Sequence, residues 1–187
     1  MPQQNLYFIA IIPPTVISDD ITAFRNDFKE NYNSKAALKN MPHITLKAPF
    51  KIDAVHHDEV LQWFSTVSFP SDRFTVQLRN FGAFPNPDNP VVFVNPVMTP
   101  HLRELQTKII KGFQEKYPDI PVHYFESEFK PHMTVAYRDL EYSEFDKAWK
   151  DVYCDKEYSA QFEVSAFYLL QHTGVEWKVI AERNLAT

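Results

Sequence analysis

Hydrophobic and polar residues follow one another in a pattern that predicts alternating strands and helices. Leu6–Ile12 is a continuous apolar run, typical of a buried strand, and prolines end it. In Asp19–Tyr32 apolar residues recur three and four positions apart, which predicts a helix with acidic residues in its first turn. Further extended segments are predicted at Met41–Phe50, Phe74–Leu78, Val91–Val94, Val122–Phe125, Pro131–Tyr137, Gln161–Leu170 and Val175–Ala181. Further helices are predicted at Val55–Val67, from a Thr99 cap to Phe113, and at Ser143–Val152 with Ser143 as cap.

The order of these elements is similar in the two halves of the chain. Strand, helix, strand, helix and further strands occur once, and then the same order returns. We therefore expect an α+β fold that is bilobal, with two pseudo-symmetric lobes around a central cleft. Each lobe has an antiparallel-rich sheet with helices on its outer face, and residues 1–187 form a single domain.

Composition and charge exclude several classes of function. The chain has only three glycines, and neither a G-x-G-x-x-G nor a Walker pattern occurs. A net charge of −5 argues against a protein that coats nucleic acid broadly, but allows a small phosphorylated substrate in a local pocket. The single cysteine, Cys154, cannot form an internal disulfide, and Leu6–Pro14 is too short to span a bilayer. We expect a cytoplasmic, monomeric protein without a membrane partner.

Two short segments share one motif. Pro42–Leu46 and Pro131–Val135 both read Pro, His, apolar, Thr, apolar, and lie about half the chain apart. Such a pattern is expected by chance at roughly one position in 10⁵. Because side chains alternate along a strand, His43 and Thr45 share one face, and His132 and Thr134 share another. A single His-x-Thr on a strand is usually structural, but two matched copies favour a functional site.

Two imidazoles and two hydroxyls facing each other suit a phosphodiester. One histidine serves as general base and the other as general acid, while the threonines donate to non-bridging oxygens. An imidazole titrates near pH 6.5, so one neutral and one protonated histidine can coexist near neutrality. The pattern does not indicate which histidine is the base. Lys47 and Arg138 continue the same faces and are candidates for phosphate binding, and His172 is a candidate for the cleft rim.

The paired His-x-Thr segments resemble the signature of the 2H phosphoesterase superfamily, which includes 2′-5′ RNA ligase-like proteins and cyclic phosphodiesterases. The similarity runs through most of the chain, over residues 5–182, and is clearest in Leu6–Ile11, Phe81–Pro85, Val91–Val94, Leu102–Leu105 and Phe129–Thr134. Many relatives place an arginine one position earlier than Arg138, where this chain has Tyr137.

The resemblance implies a bilobal fold and chemistry on 2′,3′-cyclic phosphates or 2′-5′ linkages, without a metal or other cofactor. It assigns that chemistry to His43, Thr45, His132 and Thr134. The expected partner is an RNA 3′ end or a small cyclic nucleotide, and ligation is the same reaction reversed.

Two other interpretations remain open at this point. The same cleft could bind a nucleotide or a phosphorylated ligand without turnover. A metal-dependent hydrolase is less well supported, because catalytic zinc usually has three protein ligands and the motifs supply only two imidazoles.

Overall fold

The strands form two four-stranded antiparallel sheets. The computed structural model describes residues 3–67 and 72–186, to which every structural statement below refers. The first sheet has the order β2-β1-β7-β8, and the second has the order β5-β4-β3-β6. The strands are β1 Gln4–Ile11, β2 Ile44–Asp53, β3 Phe74–Phe84, β4 Val91–Pro96, β5 Met133–Ala136, β6 Ser159–Val164, β7 Ala166–His172 and β8 Trp177–Asn184. The predicted α+β architecture with antiparallel sheets and helices is confirmed.

The helices connect these strands. They are α1 Thr15–Asn31, α2 His57–Thr66, α3 Pro100–Lys116, α4 Tyr124–Ser127 and α5 Tyr142–Ala148, which continues as a π-helical turn over Trp149–Tyr153. Short 3₁₀ turns occupy Ala36–Lys39 and Ala54–His56. Thr99 caps α3 as predicted, since its side chain accepts a hydrogen bond from the Leu102 N–H. None of these helices combines the length and the apolar character that crossing a bilayer requires.

The two sheets do not correspond to the two halves of the chain. The predicted single strand Gln161–Leu170 is wrong, because the chain leaves β6 at Ser165 and enters β7 in the other sheet. The first sheet therefore combines strands from both ends of the chain, whereas the second takes the middle strands. Strands β6 and β7 both have buried apolar side chains, so the apolar pattern continues from one strand into the next. The sequence pattern alone therefore predicts one strand where the chain passes from one sheet to the other.

Two helices each pack against the other sheet, not against the sheet that contains the strand before them. Helix α1 follows β1 but lies against β5, and α3 follows β4 but lies against β2. The Phe113 ring of α3, for example, meets the Phe50 ring of β2 with centroids 4.7 Å apart. One hydrophobic cluster consequently contains buried residues from both sheets. This exchange of helices ties the sheets together at the cleft.

Several predicted element bounds are wrong for local reasons. Helix α1 begins at Thr15, directly after the proline pair, so Asp19 and Asp20 lie outside its first turn. Helix α5 begins at Tyr142, and Ser143 is not its cap. The predicted extended segment Val122–Phe125 leads instead into α4, where the Glu126 side chain accepts a hydrogen bond from the His123 N–H as part of a capping box.

Strand β2 carries an irregularity that changes which face Lys47 occupies. Thr45 pairs with Ala10 and Lys47 pairs with Ile9, so two residues of β2 oppose one residue of β1. Such a bulge reverses the alternation of side chains. Lys47 therefore shares the core face with Ile9 and is only 1% exposed. The prediction that Lys47 shares the open face with Thr45 is wrong.

The buried Lys47 ammonium is neutralised by Glu126 of α4. Its Nζ lies 2.9 Å from Glu126 Oε1 and 4.5 Å from the centroid of the Phe113 ring. The same carboxylate accepts hydrogen bonds from the backbone N–H groups of Ala48 and His123. This ion pair fixes α4 against β2, two positions after Thr45.

Replacing Glu126 with alanine tests this anchor. We expect Glu126→Ala to lower the free energy of unfolding by about 3–5 kcal/mol, because it leaves the Lys47 ammonium buried without its counter-charge. Urea denaturation measures the change. The matched control is Glu115→Ala, which breaks the exposed Lys111–Glu115 pair and should have a far smaller effect. Equal effects of the two substitutions would show that the buried pair does not anchor the fold.

Candidate active site

The two motifs meet at one cavity of about 240 Å³. His43 and His132 each stand immediately before an edge strand, β2 and β5, and both line this cavity together with Thr45 and Thr134. Thr45 pairs with Ala10 on β1, whereas Thr134 pairs with Phe93 on β4. The structure therefore brings together the four residues on which the sequence-based hypothesis depends.

A backbone carbonyl holds each imidazole in the same way. His43 Nδ1 lies 2.7 Å from the Met41 carbonyl oxygen, and His132 Nδ1 lies 2.9 Å from the Lys130 carbonyl oxygen. A carbonyl oxygen can only accept a hydrogen bond, so Nδ1 carries the proton in both rings. In the neutral imidazole, Nε2 is then an acceptor on the opposite side of the ring. Each motif thus presents a base with a defined tautomer.

Phenylalanine rings support both imidazoles. The Phe8 ring lies 4.9 Å from the His43 ring, and the Phe84 and Phe93 rings lie 5.3 and 5.5 Å from the His132 ring, centroid to centroid. Gly82 is needed for this packing, because a Cβ at that position would overlap the Phe93 ring. The rings restrict the imidazoles to one orientation and exclude water from one side of each.

Burial lowers the pKa of both histidines. The pKa of His43 falls to about 4, chiefly by desolvation; the bond to the Met41 carbonyl opposes this shift, and the Arg25 charge, together with His132 when it is protonated, adds to it. Desolvation also lowers the pKa of His132. Both rings are therefore neutral at pH 7 when the cavity holds no anion. One of the two histidines can be protonated near neutral pH, as the sequence analysis expects, only when a negatively charged ligand is bound beside it.

Arg25 of α1 is a site residue that the sequence analysis missed. It is buried, and its guanidinium donates to the Thr134 carbonyl through Nε at 3.0 Å and Nη2 at 2.9 Å. It also donates to the Asn40 carbonyl, in the segment that leads to His43. Burial lowers the Arg25 pKa to about 10, so the charge persists at neutral pH. Arg25 lies on the same face of α1 as the buried residues Ile17, Ile21 and Phe28. An arginine on a buried face is rarely found without hydrogen-bond or ion-pair partners, so this position could have indicated its role.

Arg138 also lines the cavity, but it reaches that position by a turn of the backbone. Strand β5 ends at Ala136, and Arg138 has a φ of 62°, in the left-handed region that non-glycine residues rarely adopt. Its guanidinium carbon lies 4.9 Å from the centroid of the Tyr137 ring. The alternation of side chains along a strand, from which Arg138 was predicted to share the face of Thr134, ends with β5 at Ala136.

The neighbours of Arg138 hold this turn in place. The Asp139 carboxylate accepts hydrogen bonds from the Ser34 hydroxyl and from the backbone N–H groups of Lys35 and Ala36. These bonds lower the pKa of the Asp139 carboxyl below its usual value, although partial burial opposes them as the largest single effect. The Tyr137 hydroxyl accepts a hydrogen bond from Asn40 Nδ2. The strained conformation is therefore fixed on both sides.

Lys47 and His172, the remaining predicted residues, do not line the cavity. Lys47 is enclosed in the core by the bulge and its pairing with Glu126. His172 Nδ1 accepts a hydrogen bond from the Gly174 N–H, and its ring meets the edge of Trp177. Trp177 lines the cavity and packs on Phe8. His172 contacts Trp177 but does not itself line the cavity, so its role at the cleft rim stays a prediction.

The cavity is suited to an anion. Two arginines and two imidazoles line it, and its described lining contains no carboxylate, although the chain carries a net charge of −5. Across residues 3–67 and 72–186, no three His, Cys, Asp or Glu side chains are grouped so that they could hold a metal ion. The lining offers two imidazoles and two guanidinium groups to a ligand.

The chain matches known proteins over the region that contains both motifs. Residues 13–176, which include both motifs, match the family model of the 2′-5′ RNA ligase superfamily. A Bacillus cytotoxicus protein named "Putative phosphoesterase" is 32% identical over 130 residues, which cover 68% of this chain and 67% of that protein.

Solved structures share the fold. E. coli LigT in complex with 3′-AMP superposes with a TM-score of 0.68 at 17% identity, over 99% of this chain and all of the LigT chain. The TT0787 protein of Thermus thermophilus gives a TM-score of 0.67 at 18% identity, over 96% of this chain and 97% of that chain. The bilobal fold and the resemblance to the 2H phosphoesterases are thereby confirmed, and the chain belongs to the 2′-5′ RNA ligase superfamily.

Proposed function

We propose that this protein is a phosphoesterase that hydrolyses a 2′,3′-cyclic phosphate or a 2′-5′ phosphodiester at an RNA 3′ end or on a small nucleotide. The observation that carries the proposal is the pair of imidazoles that line one cavity, each held through Nδ1 by a backbone carbonyl. This arrangement leaves one Nε2 to take a proton and the other to give one, as a displacement at phosphorus requires.

The reaction is a single exchange at phosphorus. A water oxygen attacks the phosphorus while one imidazole removes a proton from that water. The bond from phosphorus to the leaving ribose oxygen breaks, and the second imidazole gives its proton to that oxygen. A phosphate monoester and a free hydroxyl result, and the two histidines have exchanged protonation states. In ligation, a ribose 5′-hydroxyl takes the place of the water, attacks the phosphorus of the 2′,3′-cyclic phosphate and displaces the 3′ oxygen, which leaves a 2′-5′ phosphodiester.

Threonine and arginine side chains stabilise the charge that develops on phosphorus. Thr45 and Thr134 make no hydrogen bond through their hydroxyls to any described residue, so both are available to the non-bridging oxygens. Arg25 is held by backbone carbonyls and contributes a fixed positive charge. Arg138 lies at the exposed edge of the cavity, where it can reach a substrate that enters from solvent.

The pKa shifts divide the roles of the histidines. The pKa of His43 is lowered to about 4, and Arg25 contributes to this shift, so His43 remains neutral and is the base. Desolvation lowers the pKa of His132 while its bond to the Lys130 carbonyl raises it, and a bound phosphate anion favours its protonated form. His132 then protonates the leaving oxygen. The acid is thus created by substrate binding.

The comparisons support the substrate class in part. LigT has been solved in complex with 3′-AMP and with phosphate, which shows that its fold accepts a nucleotide and an inorganic anion. In this chain, the two arginines and the two imidazoles provide for the phosphoryl group of such a ligand.

Removing either imidazole tests the two-histidine mechanism. We expect His43→Ala and His132→Ala each to lower turnover of adenosine 2′,3′-cyclic phosphate by about 10²–10⁴, measured with EDTA present. The double variant should be little worse, because the pair acts as a unit. His56→Ala is the matched control, since this exposed histidine bonds Glu59 outside the cavity. Near-normal turnover in either single variant would contradict the mechanism.

The wild-type assay also separates the alternatives. Binding of the cyclic nucleotide or of a 2′-5′ dinucleotide without turnover would favour a binding module over an enzyme. Loss of activity with EDTA and its recovery with zinc would favour a metal-dependent hydrolase.

The lowered pKa values predict an acidic optimum for kcat/KM. Turnover from free enzyme needs one neutral and one protonated imidazole, a state that is most populated between the two pKa values. The lower value is about 4 and the upper one lies below 6.5, so the maximum should fall between pH 4 and 6.5. Substrate binding raises the upper pKa, so the alkaline limb of kcat should lie at higher pH. A single rise to a plateau above pH 7 would contradict this assignment.

A further inference from the structure

The buried polar side chains of the protein are concentrated around the two motifs. Outside the aromatic residues, the polar and charged side chains that the described part of the chain buries are Arg25, Ser34, Lys47, Gln106 and Glu126. Arg25 bonds the Thr134 carbonyl, and Ser34 bonds Asp139. The other three meet at β2, directly after Thr45. A buried ion pair often adds little stability compared with apolar residues of similar size, so its position here indicates a role in the geometry of the site.

Strand β2 is irregular on both sides of Lys47. Its register against β1 shifts between Thr45 and Lys47 and again between Lys47 and Phe50. Thr45 and Pro49 line the cavity that the two motifs share, whereas Lys47 between them is buried in the core. A bulge interrupts the ladder of hydrogen bonds and leaves backbone groups that need other partners. The orientation of Thr45 therefore depends on the groups that hold this bulged segment.

One carboxylate holds the bulged segment. Glu126 Oε1 accepts a hydrogen bond from the Ala48 N–H at 2.8 Å, and Lys47 Nζ lies 2.9 and 3.2 Å from the two carboxylate oxygens. Glu126 Oε2 also accepts from the His123 N–H, and the Glu126 carbonyl accepts from Gln106 Nε2. Both carboxylate oxygens are thus bonded within the protein, and Glu126 is not part of the described lining of the cavity. The carboxylate is placed to hold β2 and not to contact a phosphoryl group.

We propose that Glu126 is a positioning residue for catalysis, which directs the Thr45 hydroxyl into the cavity by holding the bulge of β2 at the Ala48 N–H. The proposal rests on the proposed function for the role of Thr45. It assigns the effect to the hydrogen-bond acceptor and not to the buried charge, because the Ala48 N–H needs an oxygen to donate to. Arg25 has the corresponding place at the other motif, where it bonds the Thr134 carbonyl.

Two double variants separate the acceptor from the charge. Lys47→Met/Glu126→Gln and Lys47→Met/Glu126→Leu both remove the ion pair, but only glutamine keeps an oxygen for the Ala48 N–H. We expect kcat for adenosine 2′,3′-cyclic phosphate to stay close to wild type in the glutamine variant. In the leucine variant it should fall by about 10²-fold, a loss typical of a reacting geometry displaced by about 1 Å. KM should change far less, because Thr45 acts on charge that develops in the transition state.

The control and the route of the effect need further variants. Lys111→Met/Glu115→Leu makes the same exchange at an exposed pair on α3 and should leave kcat unchanged. In a Thr45→Val background, the glutamine and leucine variants should have equal kcat, because the hydroxyl that Glu126 positions is absent. Equal kcat of the two variants with Thr45 present, or an undiminished difference between them in the Thr45→Val background, would overturn the proposal.

Methyl NMR of threonine-labelled protein tests the position of Thr45 without substrate. The Thr45 methyl signal should match wild type in the glutamine variant and shift in the leucine variant, while the Thr134 methyl signal stays unchanged in both. An unchanged Thr45 signal in the folded leucine variant would contradict the proposal. Gln106→Leu keeps the ion pair and removes only the bond to the Glu126 carbonyl, so it serves as a milder variant if the leucine variant does not fold.

The Gln106→Leu substitution should lower kcat only where Thr45 is present, and an equal loss in the Thr45→Val background would count against the proposal. Thermal unfolding shows which variants are folded. Failure of wild type to hydrolyse cyclic nucleotides would reject the proposed function, whereas the methyl signals concern the positioning of Thr45 alone.

Discussion

One buried guanidinium connects the two halves of the site. Arg25 donates to the carbonyl of Thr134 on β5 and to the carbonyl of Asn40, three residues before His43. The Thr134 carbonyl belongs to an edge strand, which has no other described strand on that side. A buried arginine without hydrogen-bond acceptors would destabilise the fold, because its charge has lost the hydration it has in water. The two carbonyls must therefore stay within hydrogen-bond distance of Arg25, and this requirement holds the two motifs near each other. The same charge helps to keep His43 neutral and lines the cavity that both motifs share.

The two histidines have matching local geometry but unequal surroundings. Both rings bond the carbonyl two residues earlier, and both pack on phenylalanine. The Arg25 charge helps to lower the pKa of His43, and His132, unlike His43, also lines a second depression of about 530 Å³. These differences are the basis on which the proposed mechanism gives the two histidines distinct roles.

Periodicity predicted the parts of this molecule that depend on neighbouring residues. The first strand, the α3 cap and the faces of His43 and Thr45 follow from alternation and capping, since each concerns contacts a few residues apart. The position of Lys47 could not be predicted, because the bulge in β2 arises from pairing with β1 and from a carboxylate 79 residues away. Helix α4 could not be predicted either, because it is held by the bonds of Glu126 to Lys47 and Ala48 on the distant strand β2.

The exchange of helices between the sheets lay beyond any local pattern. An apolar stripe predicts that a helix packs against a sheet, but it does not show which of the two sheets the helix contacts. The contacts of α1 with β5 could therefore not be predicted from the sequence. Arg138 shows the same limit. Strand alternation placed it near the cleft, yet its left-handed backbone depends on the Asp139 bonds to Ser34, Lys35 and Ala36. Contacts between distant segments decided each of these features.

In the proposed mechanism, a bound phosphate converts a pair of neutral imidazoles into a base and an acid. Nitrogen-15 NMR of the labelled protein at pH 7 measures the protonation of His43 and His132 directly. Without ligand, both rings should be neutral with the proton on Nδ1, because each Nδ1 donates to a carbonyl. With saturating 3′-AMP, one ring, His132, should become doubly protonated while His43 stays neutral. A proton on Nε2 of either free ring, or no change in His132 on binding, would contradict the account.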